Sequence, residues 1–178
     1  MKRLRIAIAA AMSVAALAFG GCAVLNEGSP KTCPATAILD DAGELVRFAS
    51  TPPKGPNDIA FNTRMKFISG VCDSDESEVV MELNTWMTAE RGPANVKGEI
   101  SFVYFVAILG KDKKVLTRTK FPMVARFQGR ENKLEFADAV TVTIPRKKGD
   151  LPTDYIVYLG FEMTPEELAF NRKKLRNR

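Results

Sequence analysis

The stretch Ile100-Ser101-Phe102-Val103-Tyr104-Phe105-Val106-Ala107-Ile108-Leu109 decides the fold. It is nearly all apolar, rich in aromatic and β-branched residues, and bounded by Gly98 and Gly110. A run that short and that apolar predicts a central strand covered on both faces. Gly110-Lys111-Asp112-Lys113-Lys114 follows as a hairpin turn. Val115 to Phe127 returns with Val115, Phe121, Met123, Ala125 and Phe127 on one side, and Pro122 inside it marks an edge position or a bulge.

Outward from this hairpin the same period of two recurs. Ile59, Phe61, Met65, Phe67 and Val71 occupy odd positions, opposed by Arg64 and Lys66, in a strand long enough to bulge near Ser69-Gly70. Val79, Met81, Leu83 and Met87 form an inward row, with Glu82 and Asn84 outward. Leu134, Phe136, Val140, Val142 and Ile144 form the next, and Tyr155, Val157, Leu159, Phe161 and Met163 the last. Ala37-Ile38-Leu39 and Leu45-Val46-Arg47-Phe48 flank a turn, and residues 49–57, with three prolines and a glycine, make a loop. Thr164-Pro165-Glu166-Glu167 opens a short helix: a threonine cap, proline at the first helical position, and a capping box. Leu168, Phe170 and Leu175 give that helix a weak apolar side.

Six or seven strands joined by turns, without crossover helices, predict an all-β antiparallel sandwich with a short C-terminal helix. An open barrel is the alternative architecture. The sandwich is immunoglobulin-like in shape only, because Trp86 follows both Cys33 and Cys72 rather than lying between them.

The N-terminus has a different grammar. Lys2, Arg3 and Arg5 precede an apolar run, Ile6 to Phe19, broken only by Ser13. A membrane-spanning helix needs about 20 apolar residues, so this shorter run reads as the core of an export signal. The ending Phe19-Gly20-Gly21-Cys22 resembles a bacterial lipoprotein signal, with Phe19 where leucine is usual. The resemblance implies cleavage before Cys22 and fatty acyl groups, such as palmitate, on its sulfur. Several acyl chains hold a protein firmly, since each buried methylene contributes about 0.8 kcal/mol. Ala23, a neutral residue after the cysteine, implies sorting to the outer membrane, facing the periplasm. An ordinary secretory signal cut near Gly21 is the alternative. The chain then divides into a signal (1–21), a lipidated tether (22–32), a sandwich domain (33–171) and a basic tail (172–178).

Three of the 26 basic residues and none of the 21 acidic ones lie in the signal, so the mature chain carries 23 against 21, a net charge of +2. That excludes a broadly basic nucleic-acid-binding face. Three cysteines fit one lipidated residue and one pair, Cys33 with Cys72, expected to bridge in an oxidising compartment. Two free thiols or a redox pair are the alternatives. The chain has no histidine, the commonest general base and metal ligand. No nucleophile elbow or nucleotide loop is present, which argues against an enzyme and against a cofactor.

Three surface features remain. Asp73, Asp75, Glu76 and Glu78 read as a solvated acidic hairpin rather than a metal site, since the loop lacks the glycine and distant glutamate of a calcium-binding loop. Trp86, on the outward phase of its strand, is a candidate partner contact. Lys111, Lys113 and Lys114 in one turn, Arg146, Lys147 and Lys148 in another, and the basic tail could together meet lipid headgroups or peptidoglycan carboxylates.

Cys33-Pro34-Ala35-Thr36-Ala37-Ile38-Leu39, Gly70-Val71-Cys72 and the stretch from Gly160 to Arg172 resemble an uncharacterised family of proteobacterial lipoproteins. The resemblance spans most of the mature chain. It implies the same envelope localisation and carries over no catalytic residue. The function expected is that of a non-enzymatic, membrane-anchored binding or assembly module with an envelope protein or peptidoglycan as partner. A carrier of a lipid or other apolar ligand between the sheets is the alternative.

Overall fold

The computed structural model describes residues 32–177; the signal, Cys22 and the tether before Thr32 lie outside them. Eight strands form two four-stranded sheets among the described residues. The strands are β1 (Ala35–Ile38), β2 (Glu44–Phe48), β3 (Ile59–Ser74), β4 (Glu78–Arg91), β5 (Glu99–Leu109), β6 (Val115–Arg126), β7 (Lys133–Pro145) and β8 (Ile156–Phe161); helix α1 is Pro165–Arg176. One sheet has the order β1-β8-β5-β6 and the other β2-β3-β4-β7. The expected all-β sandwich is therefore what the chain forms, and β1 and β2 lie in opposite sheets.

β5 is an inner strand, between β8 and β6, as its apolar run requires. Its first half alternates, with Glu99 and Ser101 exposed, and only Phe105 to Ile108 is buried on both faces. The Arg118 guanidinium lies 3.9 Å from the centre of the Phe105 ring. On the same side, a Cβ on Gly160 would sit 2.9 Å from Phe105 Cζ and 2.8 Å from Ala42 Cβ. Glycine lets β8 and the Ala42 turn close over the ring. β6, with Pro122, is an edge strand, as the proline predicts.

Two readings are corrected. The bulge in β3 falls between Met65 and Phe67, not at Ser69-Gly70. The extra residue switches the inward set from odd to even positions. Ile68 and Cys72 pack against the core, and Val71, expected inside, is 64% exposed. One pair of strands is also parallel: β1 runs alongside β8, Ala35 opposite Ile156 and Ile38 opposite Leu159. The remaining pairs are antiparallel.

The core interleaves both inner faces: Met81, Leu83 and Met87 of β4 and Ile144 of β7 against Ile100, Tyr104 and Val106 of β5 and Val157 and Leu159 of β8. Phe102 is its aromatic centre, edge-on to Phe161 at 5.4 Å and tilted against Phe136 at 6.0 Å.

α1 begins as predicted. Glu167 N–H donates to Thr164 Oγ1 at 3.3 Å, and Thr164 N–H donates to Glu167 Oε2 at 2.9 Å. Its docking does not follow the expected apolar side. The buried residues are Glu167 and Asn171, while Phe170 remains exposed, edge-on to Phe48. Asn171 donates to the carbonyls of Asp41 and Glu44 at 3.0 and 2.6 Å, and Arg47 pairs with Glu167 at 3.0 Å. The β1–β2 turn offers carbonyls rather than apolar surface, so polar side chains seat the helix.

Candidate functional site

Cys33 and Cys72 are bonded, with their Cα atoms 5.7 Å apart. Cys33 stands two residues before β1, and Cys72 lies near the end of β3, so the bridge joins the two sheets where the chain enters the domain. The bulge makes this possible by turning Cys72 inward. Cys22 lies outside the described residues.

Trp86 lies on the outer face of the β2-β3-β4-β7 sheet and is 43% exposed. Its cross-strand neighbour on β7 is Ala137, and Ala139 stands opposite Asn84. Both alanines are exposed. A large ring beside small residues on a broad sheet face is suited to burial under a partner.

The two basic turns predicted from sequence meet at one end of the sandwich. Leu109 pairs with Ile156, and a surface cleft of about 340 Å³ is lined by Gly110, Lys111, Asp112, Lys147, Asp150 and Tyr155 among others. Lys111 pairs with Asp154 at 3.4 Å, and Lys114 with Asp112 at 3.4 Å. Arg146 is committed internally, donating to the carbonyls of Asp75 and Asp150. Lys113, Lys147 and Lys148 make no ion pair among the described residues. The basic tail is placed elsewhere. Residues 172–176 are helical, with Arg172 on Asp41 at 2.9 Å and Lys174 on Glu44 at 2.7 Å.

The acidic hairpin shares this end of the molecule. Asp75 Oδ1 accepts hydrogen bonds from Ser77 N–H, Ser77 Oγ–H and Glu78 N–H at 2.7 to 2.9 Å, which shapes the turn. The bonds from Ser77 hold the Asp75 carboxyl below its ordinary value. No group of three or more potential metal ligands is found among the described residues. The Asp112 and Asp154 carboxyls are likewise lowered, first by backbone N–H donors from Lys114 and Leu151. Tyr155, buried and donating to Asp150 at 2.9 Å, has its phenol pushed up, burial being the larger cause.

Periodicity passed over one polar pair. Tyr104 Oη donates to Asp138 Oδ2 at 2.6 Å across the two sheets, and Phe121 stacks on the Tyr104 ring at 5.1 Å. Asp138 sits on the inward phase of β7, between Phe136 and Val140. A charge at an apolar phase was the signal in the sequence.

No protein-family model matches the chain, and no curated protein is significantly similar to it. No helix among the described residues is long and apolar enough to cross a membrane.

Proposed function

We propose that this protein is a lipid-anchored, non-enzymatic module of the bacterial envelope, facing the periplasm from the outer membrane and binding an envelope protein or peptidoglycan. The Cys33–Cys72 bond carries this reading. A disulfide that closes a domain belongs to an oxidising compartment, and it agrees with the export signal that precedes it. The same signal ends at Cys22, the residue for acylation. The outer face around Trp86 is the surface assigned to the partner. The aromatic ring supplies area, and Ala137 and Ala139 leave the face shallow enough to be covered.

The mass of the mature protein tests the anchor. The expected polypeptide begins at Cys22 and is heavier by a diacylglyceryl group and a further acyl chain. A chain with another first residue, or with an unmodified Cys22 thiol, overturns the reading. Crosslinking in intact cells tests the face: Trp86→Ala should lose a partner that wild type retains, with the melting temperature unchanged.

The carrier alternative draws on one observation. A cleft of about 320 Å³ opens between Ile108, Leu116 and Thr117 on one side and Ile144 and Pro145 on the other. A co-purifying lipid in native mass spectra would favour it over the partner-binding reading.

A further inference from the structure

Cys33, where the chain enters the sandwich, lies at the same end as the basic loops. Ala35, Ile156, Leu109 and Val115 form one cross-strand row: β1 is paired to β8, β8 to β5 and β5 to β6. Glu78 opposite Pro145 closes the same end of the second sheet, and the Cys33–Cys72 bond joins the two. The chain thus enters the domain beside the 110–114 and 145–155 loops. Eleven peptide steps separate Cys22 from Cys33, a reach of no more than about 40 Å when fully extended. Whatever holds Cys22 holds this end of the domain close to it.

The end carries what a bilayer surface binds. Lys113, Lys147 and Lys148 have no carboxylate partner among the described residues. Leu116 is 50% exposed beside one loop and Leu151 is 61% exposed in the other. Cationic side chains with exposed leucines beside or within the same loops match the headgroup and upper acyl layers of an anionic membrane. Over the 110–114 and 145–155 loops, six basic residues (Lys111, Lys113, Lys114, Arg146, Lys147 and Lys148) stand against three carboxylates (Asp112, Asp150 and Asp154), a net charge of +3. Asp112 and Asp154 are paired with lysines, Asp150 accepts from Tyr155, and Asp75 holds its own turn. Glu76 lies in the β3–β4 turn of the other sheet, and Glu78 stands at the start of β4. Their repulsion tilts the contact toward the β5–β6 and β7–β8 loops.

We propose that this end of the sandwich is a membrane-docking surface, with Lys113, Lys147 and Lys148 on anionic phospholipid headgroups and Leu116 and Leu151 inserted between them. The proposal rests on the anchor at Cys22, which supplies proximity. Docking then fixes orientation: the strands stand away from the bilayer, and the Trp86 face is presented sideways to the periplasm.

Vesicle co-sedimentation tests it without the anchor. The probe is the chain 22–178 with Cys22→Ser, which carries both sheets, the core and the disulfide but no acyl group. It should bind phosphatidylcholine vesicles containing about a third phosphatidylglycerol, should not bind phosphatidylcholine alone, and should be released by high salt. Replacing Lys113, Lys147 and Lys148 together by Ala should lower the partition coefficient on the order of a hundredfold, from about 1 kcal/mol per basic residue. Leu116→Ser with Leu151→Ser should weaken binding with the salt dependence unchanged. Equal or absent binding to the two vesicle types, or a triple-lysine variant that binds as well as its parent, overturns the surface. An unacylated wild-type protein alongside salt-sensitive vesicle binding would sink the anchor and leave the surface standing.

Discussion

Tyr104 and Asp138 show how one hydrogen bond can tie two sheets. The Tyr104 ring is buried, and its hydroxyl reaches a carboxylate on the opposite sheet, 34 residues away in sequence. Removing the hydroxyl leaves a half-buried carboxylate short of a donor. A buried polar group stripped of its partner costs about 1 to 3 kcal/mol, and Tyr104→Phe should lower the unfolding free energy by that amount in denaturant titrations. The pair also predicts a pH response. Burial, and then the Asp138 carboxylate, raise the Tyr104 phenol well above its ordinary value of 10.0. A folded-state pKa above the unfolded one means the native state holds its proton longer. The corresponding stability is full below pH 10 and is lost as pH rises beyond it. Tyr104→Phe should therefore lose less stability than wild type between neutral and strongly alkaline pH; parallel losses would count against the assignment. Period-two alternation puts Tyr104 and Asp138 inside, but which residue faces which across a sandwich is a tertiary fact that no local pattern encodes.

At the level of elements, the legible parts were those governed by local chemistry. The β5–β6 hairpin follows from an apolar run ending at Gly110, and the start of α1 from Thr164, Pro165 and Glu167. The position of the bulge leaves no trace in the sequence, because Lys66 has no signature of its own. Any residue can be the extra one, and only the partner strand decides where the register slips. The docking of α1 was also illegible, since it uses Glu167 and Asn171 where a helical wheel shows polar residues bound for solvent. That docking makes two predictions. Asn171→Ala removes donors to the Asp41 and Glu44 carbonyls and should cost about 1 to 3 kcal/mol. Asn171→Asp, nearly the same size but without the amide donors, should fare no better, whereas a purely steric role would let it rescue. The cap is a smaller effect: Thr164→Ala should cost about 1 kcal/mol and show as faster amide exchange at Glu167. If both Asn171 variants melt with wild type, the helix is an ornament on the sheet and not part of the cooperative unit.

For the molecule as a whole, the Cys33–Cys72 bond is the join on which the proposed function and the architecture both depend. β1 has only four residues, and its one ladder among the described residues is the parallel pairing with β8. A pairing that short supplies little stability alone. The bond adds what the ladder lacks, tying the segment before β1 to β3 in the other sheet across a sequence separation of 39. In the chain-entropy model, closing a loop of that size stabilises the native state by about 4 kcal/mol, through the denatured ensemble. The cysteine count made this pairing legible; the inward turn of Cys72, which depends on the bulge, was not. Cys33→Ser and wild type in reductant should therefore lose about the same stability, a few kcal/mol, and their melting curves should coincide. The loss should also be uneven in space. Amide exchange should quicken first at Ala37 and Leu39, at the β1–β8 edge, while the β3–β4 ladder stays protected until global unfolding. A force applied through the tether enters at this same edge, so a reduced protein pulled from its N-terminus should shed β1 before the sandwich opens, and an oxidised one should not. Reductant that leaves both the melting curve and β1 exchange unchanged would show that the bond merely decorates a domain already closed without it.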